Sequence, residues 1–406
     1  MTIQKNHMSR LIGAILLICG TTIGAGILAL PVATGRAGFV PSIFTMLFCW
    51  AYLAYAAFCI LEVNLSLPSK GNIISMASAT LGKWGKWVSW SAYLFLLYAL
   101  NTAYIAVSTS IFQNVLEKIT GLSIVKILCV LPLLAIFGLL LRQGMKVIDT
   151  VNRLFMIGLG VCFLLLLGFS IPRVSGEGLT AFDMSLMLPS LSVVLTAFGY
   201  HIIIPSLVTY LHGNVKELKL SIWIGSFIPL IVYIVWQVAI LGIVPVNGPW
   251  SIEDAYQKGM SGTDLLIQLS NHSWVPYIAE GFAFFVIITS FLGVSVSLFD
   301  FLADGLHIEK KAEGKWKLLF FTFVPPLYFA LSYPRVFFSA LEYAGAFGVV
   351  ILLALIPGCM VYRKRYALNL PSSYRVAGGK IGLIIFISIS TAIVLFEALC
   401  KFGVLS

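Results

Sequence analysis

Apolar segments long enough to cross a lipid bilayer follow one another along nearly the whole chain. A transmembrane helix needs about 20 apolar residues to span ~30 Å of hydrocarbon. Because 60% of the 406 residues are hydrophobic and 10% are charged, a soluble fold of this length could not bury all of these segments. The sequence predicts an all-α membrane protein with eleven transmembrane helices, at residues 11–33, 39–66, 87–115, 124–141, 148–171, 186–211, 220–244, 275–303, 316–333, 336–361 and 381–400.

The lysines and arginines between these segments predict the orientation of the chain. If the N-terminus lies inside, 19 of the 26 fall on the cytoplasmic side, and short cytoplasmic loops of membrane proteins carry such an excess. We therefore expect a cytoplasmic N-terminus and, after an odd number of spans, a periplasmic C-terminus. The net charge of +10 is spread over short loops, without the basic stripe that nucleic-acid binding needs, so we expect the bilayer and no nucleic acid as a partner.

Two of the eleven segments are interrupted at their middles by residues that weaken a helix. The first contains "GTTIGAG" at residues 20–26, and the sixth reads "LTAFGYHIIIPSLVTY". Interrupted segments in corresponding positions of two halves are typical of transporters and mark the binding site. Unwound backbone survives in a bilayer where it lines a cavity or is held by protein. A kink that only lets helices pack through small residues remains the alternative.

The breaks lie five spans apart, so the two helices enter the membrane from opposite sides, as inverted repeats require. This predicts a single transporter domain over residues 1–406. Its first repeat covers about 11–171, its second about 186–361, and an extra helix covers about 381–400.

A broken helix also offers partners for a zwitterion. Unwinding frees amide N–H groups at the start of the outer half and carbonyls at the end of the inner half, with opposite partial charges. A carboxylate would bind near Ala25, Gly26 and Ile27, and an ammonium group near the carbonyls of the inner half and of the second break. The residues predicted to bind substrate at the two breaks are Thr21, Thr22, Gly24, Ala25, Gly26, Phe198, Gly199, Tyr200 and His201.

Other functional classes have little support in the sequence. The seven cysteines lack the spacing of metal ligands. An intramembrane enzyme would need a nucleophile with a positioned base or a metal cluster, and a channel would need rings of like charge or carbonyl filters. We therefore expect no catalytic residue, no metal and no cofactor besides a coupling ion.

Five ordered motifs carry a resemblance to a known family. They are "GTTIGAGILALP", "FGYHIIIPSLVTYLHGN", "YIVWQVAILG", "SFLGVSVSLFDFLAD" and "YRVAGGK". Together they resemble the bacterial aromatic amino-acid permeases of the amino acid, polyamine and organocation superfamily. The resemblance implies the inverted five-helix repeat of the leucine transporter and proton-driven import of an aromatic amino acid, above all tyrosine, across the inner membrane. Sodium-coupled import of tryptophan or phenylalanine and passive transport are the alternatives.

Side chains near the breaks could recognise an aromatic ring. Tyr98, Asn101 and Tyr104 are spaced along one face of the third span, and a tyrosine on this helix commonly touches the substrate carboxylate in related folds. An aromatic residue of the core or the membrane interface is the alternative for Tyr104. Asn101 and Gln237 are amides in lipid-spanning segments, and either could bind a phenolic hydroxyl and so favour tyrosine over phenylalanine. Bridging two helices is the alternative role of these amides.

Ionisable residues within the spans are candidates for proton coupling and gating. His201 stands in the second break and can change charge near neutral pH. It could carry a proton or donate a hydrogen bond to the substrate as a neutral ring, and a structural histidine is the alternative. Glu62 and Asp300, with Asp304 one turn later, lie near predicted cytoplasmic ends of helices. They could form an inner gate, or could pair with Lys or Arg at the interface.

Residues of the fifth and eighth spans do not agree with the resemblance on the identity of the coupling ion. Related permeases often carry a lysine after an "NR" pair in the fifth span, but "NRLFMIGLG" at 152–160 has none. Thr289 and Ser290 resemble the second sodium site of related symporters, because two hydroxyls would face the first break. Ordinary helix-packing hydroxyls are the alternative. H⁺ is the expected ion because the resemblance implies it, and Na⁺ is the alternative.

Overall fold

The computed structural model describes residues 2–67, 71–122, 125–143, 145–175, 179–309, 311–333 and 336–401. Lys70 and Lys310, which entered the charge count, and Ile124, where the fourth span was predicted to begin, lie outside the described residues. Throughout the described ranges the secondary structure is helical, without β-strands. The α-helices are α1 (Thr2–Thr22), α2 (Gly26–Gly35), α3 (Phe39–Ser66), α4 (Ile73–Thr120), α5 (Lys126–Gln143), α6 (Met145–Ser170), α7 (Met187–Ala197), α8 (Ile204–Tyr210), α9 (Val215–Leu241), α10 (Ile252–Lys258), α11 (Gly262–Leu269), α12 (Val275–Gly305), α13 (Ala312–Ser332), α14 (Val336–Tyr343), α15 (Ile356–Tyr366) and α16 (Gly379–Lys401).

The helices confirm an all-α membrane protein. Within the described ranges, eight stretches are long and apolar enough to cross a bilayer, and the bent pair of α1 and α2 makes nine. The other two predicted segments are also helical: α5 has a shorter apolar stretch, and α13 carries two prolines and a polar beginning. The count of eleven spans stays a prediction.

The two interrupted segments differ in shape. Between α1 and α2 the helix axis turns by 55°. In the sixth segment the α-helix ends at Ala197 and resumes at Ile204 after a short 3₁₀ turn, while Met184–Tyr210 still runs as one apolar span. α9 packs against both α1 and α2, and α2 also packs against α7, so the two breaks lie side by side.

The third span begins earlier than predicted. α4 starts at Ile73, where Asn72 caps it by accepting a hydrogen bond from the Ser75 amide, instead of near residue 87. At Gly82 the backbone leaves the helical region, with φ 75° and ψ −157°, a conformation open to glycine. The turns before this kink are polar, so a search for apolar stretches could not find them.

Two further features were not predicted from the sequence. The helices α10 and α11 lie in the segment between the seventh and eighth spans, each begun by a serine cap, Ser251 and Ser261. The tenth span contains a π-helix over Ala344–Leu355. Gly345 in this stretch lies against the Ser192 carbonyl of α7, where an ideal Cβ would come within 1.8 Å. The wide π turns therefore pack closely on the sixth segment.

Candidate functional site

The two helix breaks meet at Gly26 and Ala197. Gly26 is the first residue of α2, and Ala197 is the last residue of α7. An ideal Cβ on Gly26 would lie 2.6 Å from the Cβ of Ala197 and 2.9 Å from its Cα, closer than real side-chain carbons approach. Only glycine permits this contact, so the sequence at the first break allows the second break to pack directly on it.

A tyrosine from a third helix joins the two breaks. The Tyr233 hydroxyl, on α9, lies 2.7 Å from the Thr22 carbonyl and 3.0 Å from the Ala197 carbonyl, and shares its one proton between them. Thr22 and Ala197 end α1 and α7, where helix carbonyls lack intrahelical donors and carry the negative end of the dipole. The Tyr233 ring meets Phe198 edge-on at 5.2 Å. Two negative helix ends therefore converge on one buried hydroxyl.

The positive end of α2 lies beside these carbonyls. Ala25 precedes the helix, and no side chain caps it. The Ile27 amide donates to the Gly24 carbonyl at 3.0 Å, and the Leu28 amide to Ala25 at 3.1 Å. The predicted use of the Ile27 amide by a ligand thus competes with a bond inside the break. Ala25 and Gly26 are buried at the N-terminal end of α2, where the helix dipole favours negative charge.

The helix α12 forms a wall of the first break. An ideal Cβ on Gly24 would lie 2.7 Å from the Ser290 Oγ, and Tyr104 of α4 is buried beside Ser290. The Ser290 hydroxyl donates to the Val286 carbonyl at 2.9 Å, and the Thr289 hydroxyl donates to Phe285 at 2.8 Å. The structure thus brings Ser290 and Tyr104 to the first break, with Thr289 adjacent on the same helix.

His201 is fully buried and turned toward α3. Its Nε2 lies 2.7 Å from the Leu53 carbonyl, which can only accept, so Nε2 carries a proton. Its Nδ1 is a buried atom for which the described residues provide no hydrogen-bond partner. The ring stacks on Tyr200 at 4.6 Å. A neutral His201 therefore presents one free acceptor nitrogen at the second break.

The side-chain amides of Asn101 and Gln237 each have one atom that is hydrogen-bonded and one that lacks a partner among the described residues. Asn101 Oδ1 accepts from Ser295 of α12 at 2.9 Å. Gln237 Nε2 donates to Thr34 Oγ1 at 2.9 Å and to Ser42 Oγ at 3.2 Å. Asn101 Nδ2 and Gln237 Oε1 are buried without a partner among the described residues. Both amides bridge helices, the alternative role given above, and both retain a group that a ligand could use.

The amino-acid sequence matches a known family over nearly the whole chain. The sequence profile of the tryptophan/tyrosine permease family matches residues 7–397. The chain belongs to this family. The tyrosine-specific transport system 1 of Haemophilus influenzae is 35% identical over 395 residues, covering 95% of this chain and 96% of the relative. The tryptophan-specific transport protein of the same organism is 31% identical over 404 residues, covering 95% of each chain.

A solved structure shares the fold of this permease. The crystal structure of MhsT in complex with L-phenylalanine superimposes with a TM-score of 0.64, covering 96% of this chain and 98% of the other, at 15% sequence identity. At that identity the likeness shows the fold, which is leucine-transporter-like. The permease is a multi-pass membrane transporter and not an enzyme.

Several predicted residues have side chains that face other parts of the permease. The half-buried Tyr98 donates its hydroxyl to the Phe321 carbonyl of α13 at 2.9 Å. The exposed Thr21 bonds back to its own helix, at the Leu17 carbonyl. Asp300 is half-buried near Tyr93, and Asp304 is exposed. Thr21 directly precedes Thr22 at the end of α1, so the predicted use of its carbonyl and the gate role of Asp300 stay predictions. Thr22, Phe198 and Gly199 lie in the breaks themselves.

Glu62 lies in a buried ion-pair cluster at the end of α3. Lys364 Nζ lies 3.0 Å and Arg365 Nε 2.8 Å from Glu62 Oε1, and Arg365 Nη2 contacts Oε2. The Val376 amide donates to Oε2 at 2.7 Å. The side chains of Glu62, Lys364 and Arg365 are 0%, 1% and 6% exposed. Of the two roles left open for Glu62, this conformation has it paired with basic residues.

Tyr233, the side chain that joins the two breaks, was not predicted from the sequence. A signal was present, because Tyr233 opens the motif "YIVWQVAILG" and lies one helical turn before Gln237, on the same face. Ser295 and the pair Lys364 and Arg365 were also missed, the latter because they were counted as loop charges. Burial of a cation depends on which carboxylate the fold places beside it, and the charge count contains no such information.

Proposed function

We propose that this permease is a secondary active importer of aromatic amino acids, with L-tyrosine as its main substrate, driven by H⁺ and working by alternating access. The family supports an aromatic substrate, and the relative with 35% identity is named for tyrosine. The structural observation that carries the proposal is the Tyr233 bridge. It joins the ends of two interrupted helices at one buried point, and transporters of this architecture bind substrate at such interruptions.

In this proposal the eleven helices form an inverted repeat of five, followed by one extra helix. The pair of α1 and α2 is broken helix 1, and Met184–Tyr210 is broken helix 6. The excess of Lys and Arg supports a cytoplasmic N-terminus and a periplasmic C-terminus in the bacterial inner membrane.

The substrate zwitterion would bind across the breaks with its two charges on opposite helix ends. The ammonium group suits the carbonyls of Thr22 and Ala197, and the carboxylate suits the N-terminal end of α2 at Ala25 and Gly26. Because Gly26 touches Ala197 in this conformation, the two breaks must separate to admit the substrate. Alternating access supplies such a movement, since it rocks one group of helices against the rest around a fixed site.

The phenolic hydroxyl of the substrate would be recognised by the unpaired atoms of the buried amides Asn101 and Gln237. A phenolic hydroxyl can accept from Asn101 Nδ2 or donate to Gln237 Oε1, both of which lack a partner among the described residues. A site whose polar groups are left unpaired rejects the analogue that lacks the hydroxyl. This supports tyrosine over phenylalanine. Tyr104, buried beside the first break, adds an aromatic wall.

The coupling ion is proposed to be H⁺, with His201 as the proton carrier. Its Nδ1 is buried, unpartnered and able to accept a proton while Nε2 stays bonded to Leu53. The competing candidate is Na⁺ near Thr289 and Ser290, whose hydroxyl oxygens keep lone pairs free after donating to their own helix.

The deciding experiment is tyrosine uptake by purified permease in proteoliposomes, with H⁺ and Na⁺ gradients imposed separately. We expect uptake above empty vesicles with an inward H⁺ gradient, inhibition by unlabelled tyrosine, and counterflow without any gradient. Accumulation driven by Na⁺ alone would replace H⁺ by Na⁺, and non-saturable flux without counterflow would indicate a passive pore. An absence of transport and binding for tyrosine, tryptophan and phenylalanine would reject the proposal.

The His201→Gln variant tests the proton carrier in the same vesicles. Glutamine can keep a donor toward the Leu53 carbonyl but cannot be protonated near neutral pH. We expect gradient-driven accumulation to be lost and counterflow to be kept. Normal proton-driven accumulation by this variant would exclude His201 as the carrier.

A further inference from the structure

We infer that Tyr233 is a positioning residue that occupies the amino-group subsite of the substrate-free permease and yields this subsite to the substrate. The inference rests on the proposed function, because it requires an amino-acid substrate at the helix breaks. It assigns a role to a residue outside both breaks.

The geometry places one donor where an ammonium group would donate. The Tyr233 hydroxyl bonds the carbonyls of Thr22 and Ala197, the last residues of α1 and α7, at 2.7 and 3.0 Å. Carbonyls at helix ends need donors from outside the helix. These two converge within reach of a single small group, and that group is the hydroxyl of a side chain 1% exposed.

A phenolic hydroxyl and an ammonium group compete unequally for these carbonyls. The hydroxyl has one proton for two acceptors and no charge. An ammonium group has three protons and a full positive charge, and its bonds to the negative ends of helices are charge-assisted. A bound amino acid can therefore replace the hydroxyl at the carbonyls, and its apparent affinity is lowered by the bonds it must break.

The replacement also links binding to the contact between the breaks. While Tyr233 holds Thr22 and Ala197 together, Gly26 stays against Ala197. Once the substrate takes over the carbonyls, the two helix ends are held by the ligand rather than by α9. Tyr233 thus keeps the empty site ordered and closed, and gives way only to a ligand with an amino group.

The Tyr233→Phe variant tests this inference, because the inference predicts tighter tyrosine binding and the other roles of the hydroxyl do not. If the hydroxyl competes with the substrate, removing it should tighten tyrosine binding by about 3- to 10-fold, the size of one net hydrogen bond. If the hydroxyl only braces the helices or contacts the substrate, binding should be unchanged or weaker. The measurement is the Kd for L-tyrosine, by titration of the purified full-length protein.

Tyr52→Phe is the matched control. The Tyr52 hydroxyl is also buried and also makes a 2.7 Å hydrogen bond, to Ser390 of α16, but it touches neither break. We expect an unchanged Kd for this variant. A gain in affinity for Tyr52→Phe equal to that for Tyr233→Phe would overturn the inference, since the gain would then come from loosening the protein.

Two ligand analogues separate the amino group from the ring. Tyramine keeps the amino group, and 3-(4-hydroxyphenyl)propionate lacks it. The gain in Tyr233→Phe should appear for tyramine and be missing for the acid, and an equal gain for both would overturn the inference. Should the wild-type protein bind no aromatic amino acid, the proposed function itself fails, which is a different outcome.

A second measurement keeps the phenolic hydroxyl at position 233. With 3-fluorotyrosine at position 233 of the otherwise unchanged chain, the ¹⁹F resonance reports the hydrogen bonding of that ring. We expect it to shift on addition of L-tyrosine or tyramine and to stay in place with the amino-free acid. A resonance that tyrosine leaves unmoved at saturation would contradict the inference.

Discussion

The helix breaks and the Glu62 cluster are both polar and buried, but they differ in how completely their polar groups are satisfied. Around Glu62, both carboxylate oxygens accept hydrogen bonds from Lys364, Arg365 and the Val376 amide. On the helices that form or flank the breaks, Asn101, Gln237 and His201 each keep one buried atom without a partner among the described residues. Buried polar groups are normally paired, and exceptions need a reason. The polar groups of the cluster therefore satisfy one another, whereas the unpaired atoms near the breaks support the proposed substrate site.

The Glu62→Gln variant should produce the largest effect of the changes considered, and the effect should be on stability. Glutamine leaves the buried cations Lys364 and Arg365 facing a neutral amide. Removing one partner of a buried ion pair costs about 3–5 kcal/mol. We expect a much lower thermal unfolding temperature in detergent, with an unchanged Kd for tyrosine in the fraction that stays folded.

An exposed ion pair provides the control for that experiment. Glu309 pairs with Lys311 at the surface, where their side chains are 71% and 83% exposed, and such pairs contribute about 0–1 kcal/mol. Glu309→Gln should therefore leave the unfolding temperature nearly unchanged. If Glu62→Gln unfolds like wild type but loses tyrosine transport, Glu62 acts as a gate or proton site and the comparison fails.

The Gly26→Leu variant should have the next largest effect, and here the effect should be on binding. Its side chain would fill the contact with Ala197, where even a Cβ comes within 2.6 Å, and would cover the N-terminal end of α2. We expect tyrosine binding to weaken by more than ~100-fold, or ~2.7 kcal/mol. Overpacking should cost about 1–3 kcal/mol of stability, less than the loss in Glu62→Gln.

Gly160→Leu is the matched glycine control. Gly160 lies in α6, and an ideal Cβ there has no described atom within 4 Å. This variant should bind tyrosine like wild type. Wild-type affinity in Gly26→Leu would contradict the placement of the substrate carboxylate, whereas weakened binding in both variants would point to a general effect of leucine in these helices.

The all-α membrane fold could be predicted from the sequence because bilayer length and apolarity leave few alternatives, whereas the count of eleven spans and the inverted repeat stay predictions. The helix-weakening residues coincide with interruptions of the α-helix, since "GTTIGAG" ends at the first residue of α2 and Gly199 follows the end of α7. That these are broken helices 1 and 6 of an inverted repeat stays a prediction. The partners of individual side chains were harder to predict. Tyr98 was expected at the site from helical spacing but bonds Phe321 of α13, because spacing identifies a face of a helix and not the neighbour that it meets.

Residues whose roles depend on two distant segments could not be assigned from the sequence. Tyr233 is central only because α1 and α7 end at the same point in space. Lys364 looks like a loop charge until α15 packs against α3 and brings it to Glu62. In both cases the deciding fact is a contact between segments far apart in the chain, which composition and periodicity do not contain.

The Asn101→Ala variant should have the smallest effect, and it tests the role of the unpaired atom Asn101 Nδ2 directly. If Asn101 Nδ2 binds the phenolic hydroxyl, the variant should lose about tenfold of its preference for tyrosine over phenylalanine, mainly by weaker tyrosine binding. The measurement is the ratio of the two Kd values. Ser295→Ala is the control, because it removes the bond to Asn101 Oδ1 and keeps Nδ2. If Ser295→Ala lowers the preference equally, the bridge between α4 and α12 sets selectivity, and the unpaired amide is not the recognition group.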